Sequence, residues 1–243
     1  MRPPGAAPRR FRALPGANGR GLPDFARAAI LGGVSPAPLR LMVFDKTCHG
    51  RGPLPGLTAS WKVGARLYRA LGRLDASLGV STWDEALEWL ASFRPEATLA
   101  EIQFWGHGKW GCAMVDRKAL EVSALSPGHP FHARLAAIRE RLVPGGEALW
   151  WFRTCETFGG PEGHAFARAW TRFFGCRAAG HTYVIGPWQS GLHSLAPGEE
   201  PSWSTEEGLV LDASGKRRAT ALFSGPAAPN TITCFHGAVP DGF

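Results

Sequence analysis

The chain alternates short apolar runs with longer segments of helical spacing, and this alternation limits its fold more than any other feature. Four apolar runs have the length and composition of buried strands: 39–47, 98–105, 147–154 and 176–186. Four segments carry apolar residues spaced as on one face of a helix: 59–75, 81–93, 130–143 and 161–175. Strands that alternate with helices favour parallel βαβ units. We therefore predict an α/β fold, a three-layer α/β/α sandwich around a mostly parallel sheet.

The two ends of the chain do not share this pattern. Residues 1–38 are rich in Pro, Gly and Arg and have little periodicity, which predicts a flexible basic arm. Residues 39–243 then form the folded domain, since 243 residues in total suit one large α/β domain. Its tail, from residue 187 onwards, is rich in loop-forming residues and contains a predicted hairpin at 208–223.

The composition narrows the class of partner. A net charge of +7 suggests nucleic acid, but much of the excess stands in residues 1–21, which hold arginines and no acidic residue. We therefore do not expect nucleic acid as a partner. We do not expect a membrane either, because no apolar run reaches the ~18 residues of a membrane span. The five cysteines form no Cys-x-x-Cys pair, and no P-loop or dinucleotide-binding motif is present. We therefore predict a cytoplasmic protein that uses no metal and no cofactor.

Two predicted strand ends carry complementary chemistry. The stretch "EIQFWGHGKWG" (101–111) leaves its strand at His107, and "LWWFRTCETFGG" (149–160) leaves another strand at Cys155. Carboxyl ends of parallel strands meet at one edge of a sheet, so these side chains are expected to converge. A thiol needs a lowered pKa or an adjacent base to act as a nucleophile at neutral pH, and a histidine or a following helix N-terminus favours the thiolate. The sequence therefore predicts a His-Cys dyad.

These motifs resemble a known group. His-Gly after one strand, with Cys-Glu-Thr after a later one, is similar to the caspase-like (clan CD) cysteine peptidases and closest to the bacterial CHAT domains. The resemblance implies a caspase-like sheet and a cysteine endopeptidase, with Cys155 as nucleophile and His107 as general acid and base. It also implies an oxyanion hole formed by the backbone N–H groups of Gly108 and Cys155. The likeness covers about residues 39–190 and lacks the caspase pentapeptide around the cysteine.

The resemblance extends to substrate recognition. In this group the residue two before the nucleophile and the loop after the first strand shape the pocket for the residue preceding the cleaved bond. Those places hold Arg153 and the segment from Asp45 to Arg51. Arg153 favours an acidic substrate residue, because a guanidinium binds a carboxylate with two hydrogen bonds. Asp45 favours a basic one, so both preferences stay open, with the acidic one preferred.

Two further residues are candidates for the cleft, and one alternative to catalysis remains. Trp188 and Gln189 follow the last predicted strand of the caspase-like region and are candidate substrate contacts. A protein or peptide is the expected partner in either case. The alternative is a catalytically inactive binding or scaffold module of the same fold, suggested by the atypical flanks of Cys155 and the unmatched tail.

Overall fold

The computed structural model describes residues 36–50, 56–186 and 190–221. In these ranges eleven strands are formed by Leu39–Asp45 (β1), Ala76–Val80 (β2), Leu99–Trp105 (β3), His107–Lys109 (β4), Cys112–Val115 (β5), Lys118–Glu121 (β6), Leu149–Arg153 (β7), Arg177–His181 (β8), Leu192–Leu195 (β9), Leu209–Leu211 (β10) and Arg217–Ala219 (β11). Four α-helices are formed by Leu57–Ala70 (α1), Trp83–Ser92 (α2), His132–Arg139 (α3) and Gly160–Phe174 (α4). The chain is thus a mixed α/β protein, as the alternation predicts.

The central sheet has six strands in the order β2-β1-β3-β7-β8-β9. All neighbours are parallel except β8 and β9, which are antiparallel. Two smaller sheets lie outside it, one formed by β4, β5 and β6 and the other by the hairpin β10–β11. The prediction of a mostly parallel sheet is confirmed, and so is the hairpin predicted in the tail.

The helices divide between the two apolar clusters that flank the sheet. Leu41 and Val43 of β1 belong to one cluster, together with buried residues of α2, α3 and α4. Met42 belongs to the other, with Ala65 and Tyr68 of α1. Successive side chains of a strand point to opposite faces, so Met42 lies on the opposite face of β1 from Leu41 and Val43. Burying each large apolar side chain contributes roughly 1.5–3 kcal/mol to holding the helices in place.

Two helix ends follow the rules of capping. Thr82 precedes α2 and its side chain accepts a hydrogen bond from the Glu85 backbone N–H at 3.1 Å. The carboxylate of Glu85 accepts from the backbone N–H of Ser81 at 2.9 Å, so both residues before the helix are fixed. Gly175 ends α4 in the left-handed region with φ 60°, a conformation that glycine adopts without a steric penalty.

The structure differs from the sequence prediction at two edges of the sheet. The helix predicted at 59–75 ends at Ala70, and the chain then turns into β2, an edge strand that the sequence analysis did not predict. At the opposite edge, β9 arises within the segment predicted to be loop. The predicted arm lies outside the described residues apart from 36–38. Among the described helices, none is long and apolar enough to cross a membrane.

Candidate active site

The sheet register brings the two predicted catalytic residues to the same level. β3 and β7 are adjacent and parallel, and Trp105 at the end of β3 stands opposite Arg153 at the end of β7. His107 follows Trp105 by two residues, and Cys155 follows Arg153 by two. Both residues therefore lie just beyond the carboxyl ends of two neighbouring strands.

Gly108 lies close against the turn that carries Cys155. A Cβ atom added to it would lie 2.2 Å from Thr157 Oγ1, 2.6 Å from the carbonyl oxygen of Cys155 and 2.7 Å from Thr154 Cβ. No side chain fits in such a space, so only glycine lets the histidine strand lie directly against the cysteine turn. Gly108 and Cys155, the two predicted oxyanion-hole residues, are thus packed against each other.

Thr157 links the cysteine turn to the β4–β5 hairpin by hydrogen bonds. Its hydroxyl donates to the carbonyl of Cys112 at 3.1 Å, and its own carbonyl accepts from the Gly111 backbone N–H at 3.0 Å. The hydroxyls of Thr157 and Thr154 are also hydrogen-bonded to each other. These buried bonds fix the hairpin that begins at His107 to the turn that carries Cys155. Thr157 is the threonine of the Cys-Glu-Thr motif, and its contacts with the hairpin could not be predicted from the sequence.

The thiol of Cys155 is half-buried and contacts the backbone of Ile185. Its Sγ accepts from the Ile185 N–H at 3.4 Å and lies 3.7 Å from the carbonyl oxygen of the same residue. Burial raises the pKa of the Cys155 thiol, the neighbouring Glu156 carboxylate raises it further, and the Ile185 N–H lowers it. The sequence led us to expect a following helix N-terminus to favour the thiolate. In the structure α4 begins five residues after Cys155, at Gly160. The pKa of the thiol is raised and not lowered, because burial has the largest effect on it.

Glu156, directly after Cys155, has an unusual backbone conformation. Its φ is 58°, in the left-handed region that non-glycine residues rarely adopt, and its backbone N–H donates to the carbonyl of Tyr183 at 3.1 Å. The side chain is buried, and its Oε2 has no hydrogen-bond partner among the described residues. Burial raises the pKa of the Glu156 carboxyl, and Lys109 lowers it. Residues held in such rarely populated backbone conformations cluster at functional sites.

His107 is exposed at the start of β4 and contacts an aromatic ring of α1. Its imidazole packs edge-on against Trp61, with ring centroids 6.2 Å apart. Trp61 therefore limits the directions that the imidazole can take, while its exposure keeps it available to a proton donor. This contact across the sheet edge could not be found from the sequence, since the two residues are far apart in the chain.

Arg153 is the last residue of β7 and is buried, with 3% of its surface exposed. Its guanidinium donates to the Tyr68 hydroxyl at 2.6 Å and to Gln103 Oε1 at 3.3 Å. The same group lies over the ring of Trp151 at 4.2 Å and over that of Trp105 at 4.5 Å. The predicted role of Arg153 in reading a substrate carboxylate stays a prediction, and these protein contacts already occupy the group.

Asp45 is buried at the end of β1 and holds two loops. Its Oδ1 accepts from the backbone N–H and hydroxyl of Thr47, each at 2.7 Å. Its Oδ2 accepts from the Asp116 backbone N–H at 3.1 Å and lies 3.4 Å from the Cys48 sulfur. Asp45 thus ties the loop after β1 to the turn between β5 and β6. The other three predicted substrate contacts lie outside the described residues: Arg51, Trp188 and Gln189.

Comparison with known families, with curated proteins and with solved structures gives no match for this chain. The likeness to caspase-like peptidases therefore rests on the two short motifs and on the arrangement of the residues within them.

Proposed function

We propose that this chain is a cysteine endopeptidase in which Cys155 attacks a peptide bond and His107 transfers the protons, within a three-layer, caspase-like arrangement of helices and sheet. The observation that carries the proposal is the close packing of Gly108 against the Cys155 turn at the matched ends of two parallel strands. It supports convergence of a base, a nucleophile and two backbone donors at one point.

The first half of the reaction forms an acyl-enzyme. The sulfur of Cys155 bonds to the substrate carbonyl carbon as its proton passes to the imidazole of His107. Charge develops on the carbonyl oxygen, and the N–H groups of Gly108 and Cys155 stabilise it, each donor lowering the barrier by about 3 kcal/mol. The carbon–nitrogen bond then breaks, and His107 gives its proton to the departing amine, leaving a thioester.

The second half restores the enzyme. His107 removes a proton from a water molecule, whose oxygen bonds to the thioester carbonyl carbon. The carbon–sulfur bond breaks, and the proton on His107 returns to the Cys155 sulfur as the carboxylic acid product leaves. Because the raised pKa of Cys155 keeps its resting thiol protonated, the histidine is needed in the first step as well as in the second.

The test compares two cysteine variants. Cys155→Ala is expected to abolish cleavage of a randomised peptide library, read by mass spectrometry. Cys112→Ala, which removes another half-buried thiol, is expected to leave cleavage intact. Equal cleavage by Cys155→Ala and the parent protein would refute the proposal.

A non-catalytic module of the same fold is the second candidate, and the half-buried, protonated thiol favours it. In such a module Cys155 would remain bound to the Ile185 backbone and take no part in chemistry. Alkylation by iodoacetamide separates the two candidates. A peptidase requires Cys155 to react in the native protein and His107→Ala to slow that reaction, whereas a module requires labelling only after unfolding.

A further inference from the structure

The outer face of α1 exposes a row of large apolar side chains. Val63, Leu67 and Leu71 are 63%, 41% and 50% exposed, and their spacing of four residues places them along one line of the helix. Leu71 directly follows α1 and keeps its geometry, because its backbone N–H donates to the carbonyl of Leu67 at 2.9 Å. These three residues are called the apolar row. With Leu57 they make up half of the large apolar residues that are exposed in the described ranges.

The inner face of α1 is already occupied by the protein itself. Ala65 and Tyr68 are buried in one cluster with Met42 of β1, and Trp61 packs against that cluster and contacts His107. With 3.6 residues in each turn, the apolar row lies on the far side of the helix from Ala65 and Tyr68. Packing of α1 onto its own domain therefore does not account for the apolar row.

A row of basic side chains runs beside the apolar row. It consists of Lys62, Arg66 and Arg69, which are exposed and share one face of α1 through spacings of four and three residues. Residues 57–74 contain no Asp or Glu. None of the three basic residues forms an ion pair within the described ranges. Water alone can solvate the basic row, but it does not favour the apolar row next to it.

The charges distinguish between the possible occupants of this surface. A second copy of the chain would present the same α1, which has no acidic residue, and the basic rows of both copies would stay unpaired. A helix that lies on a membrane has its whole face opposite the lipid charged or polar, whereas the opposite face of α1 holds the buried Ala65 and Tyr68. A protein partner with acidic residues beside apolar ones complements both rows.

We propose that the outer face of α1 binds an acidic amphipathic helix of a protein partner. Side chains four residues apart form a ridge that packs into the groove between such ridges on another helix, so the apolar row packs among apolar residues of the partner. Asp or Glu residues on one flank of the partner helix pair with Lys62, Arg66 and Arg69. This inference goes beyond the proposed peptidase function and holds equally for a non-catalytic module.

The first test selects helices that bind the apolar row. A phage-displayed library of single helices on an alanine-rich frame is selected on the full chain, and clones that also bind the Leu67→Asp protein are removed. We expect the remaining sequences to carry apolar residues three or four positions apart and an excess of Asp and Glu on one flank. No remaining clones, or remaining clones without this acidic excess, would overturn the inference.

The second test measures affinity for a fluorescein-labelled peptide of the most enriched sequence by fluorescence anisotropy. Val63→Asp, which plays no part in the selection, is expected to weaken binding about tenfold, as loss of a central apolar contact does. Val210→Asp is the matched control, because Val210 is exposed on β10 and lies outside α1. Circular dichroism and thermal unfolding establish that each variant is folded. An equal effect of the two substitutions would contradict the assigned surface.

The contribution of charge is tested separately. The double variant Arg66→Glu, Arg69→Glu is expected to weaken binding about tenfold and to reduce its dependence on salt, since like charges then face each other across the rim. Lys118→Glu is the control, an exposed lysine of β6. Equal affinities of the double variant and the parent would refute the acidic character of the partner.

Two further results would assign the surface to another occupant and overturn the inference. One is sedimentation of the protein with phosphatidylserine–phosphatidylcholine vesicles that Leu67→Asp abolishes, which indicates a membrane. The other is a dimer in analytical ultracentrifugation that Leu67→Asp dissociates, which indicates a second copy of the chain. We expect neither vesicle binding nor self-association to change with this substitution.

Discussion

Replacing Gly108 with alanine perturbs the contact on which the active-site proposal depends. The new Cβ would lie 2.2 Å from Thr157 Oγ1 and 2.6 Å from the Cys155 carbonyl oxygen, whereas ordinary van der Waals contact begins at 3.4 Å. The atoms must separate by about 0.8–1.2 Å, and part of the obstacle is backbone that cannot rotate away. Since a misplacement of about 1 Å can lower a rate about 100-fold, we expect a loss of that order in kcat/KM.

The assay follows cleavage of a peptide identified from the library, together with thermal unfolding. Gly108→Ala is also expected to lower the free energy of unfolding by about 1–3 kcal/mol, as overpacking does. Gly128→Ala is the matched control, because an added Cβ at Gly128 meets no atom within 4 Å. A folded Gly108→Ala protein with parental kcat/KM would refute the claim that this contact sets the geometry of the dyad.

Three other outcomes follow from the structure. The alkylation rate of Cys155 should keep increasing above pH 9, because burial raises the pKa of its thiol and the thiolate forms only as the pH passes that raised value; a plateau below pH 8 would contradict this. Burial raises the pKa of Glu101 to about 7 from 4.5, so its contribution to stability is complete below pH 4.5 and is lost as the pH increases through 7. The free energy of unfolding falls by about 3 kcal/mol over this pH range. Glu101→Gln should remove this pH dependence when the free energy of unfolding is measured with urea at several pH values; an unchanged dependence on pH would show that the carboxyl is not responsible. Thr82→Ala should cost about 1 kcal/mol of stability through loss of the α2 cap, whereas Ser81→Ala should cost little, because Ser81 contributes only its backbone N–H to Glu85.

The sequence predicted the centre of the sheet better than its edges. β3 and β7 are buried on both faces, so most of their residues are apolar, although β3 also buries Glu101 and Gln103. Their ends are marked by Gly106 and by the cysteine turn. β2 is a short edge strand whose residues are mostly half-buried, and its sequence "ASLGV" has no strand-like alternation. β9 is antiparallel and follows a segment read as loop, so its pairing depends on β8 and not on its own composition.

In the candidate site, too, some features could be predicted from the sequence and others could not. The position of His107 and Cys155 at the ends of two strands was predictable, because each follows an apolar run directly. The contacts of Arg153 could not be predicted, because they depend on which face of β7 the residue occupies. Arg153 shares its face with Trp151, two residues earlier, so it points among the aromatic rings near α1. Likewise, nothing in the sequence marks the left-handed backbone of Glu156.

The protonated resting state of Cys155 has a consequence for chemical damage. Peroxide oxidises thiolates far faster than thiols, and the first product, a sulfenic acid, can proceed to irreversible forms. A sulfur whose pKa is raised by burial and by a neighbouring carboxylate is therefore expected to react slowly with oxidants. In the proposed reaction, the sulfur is open to this damage only while His107 holds its proton.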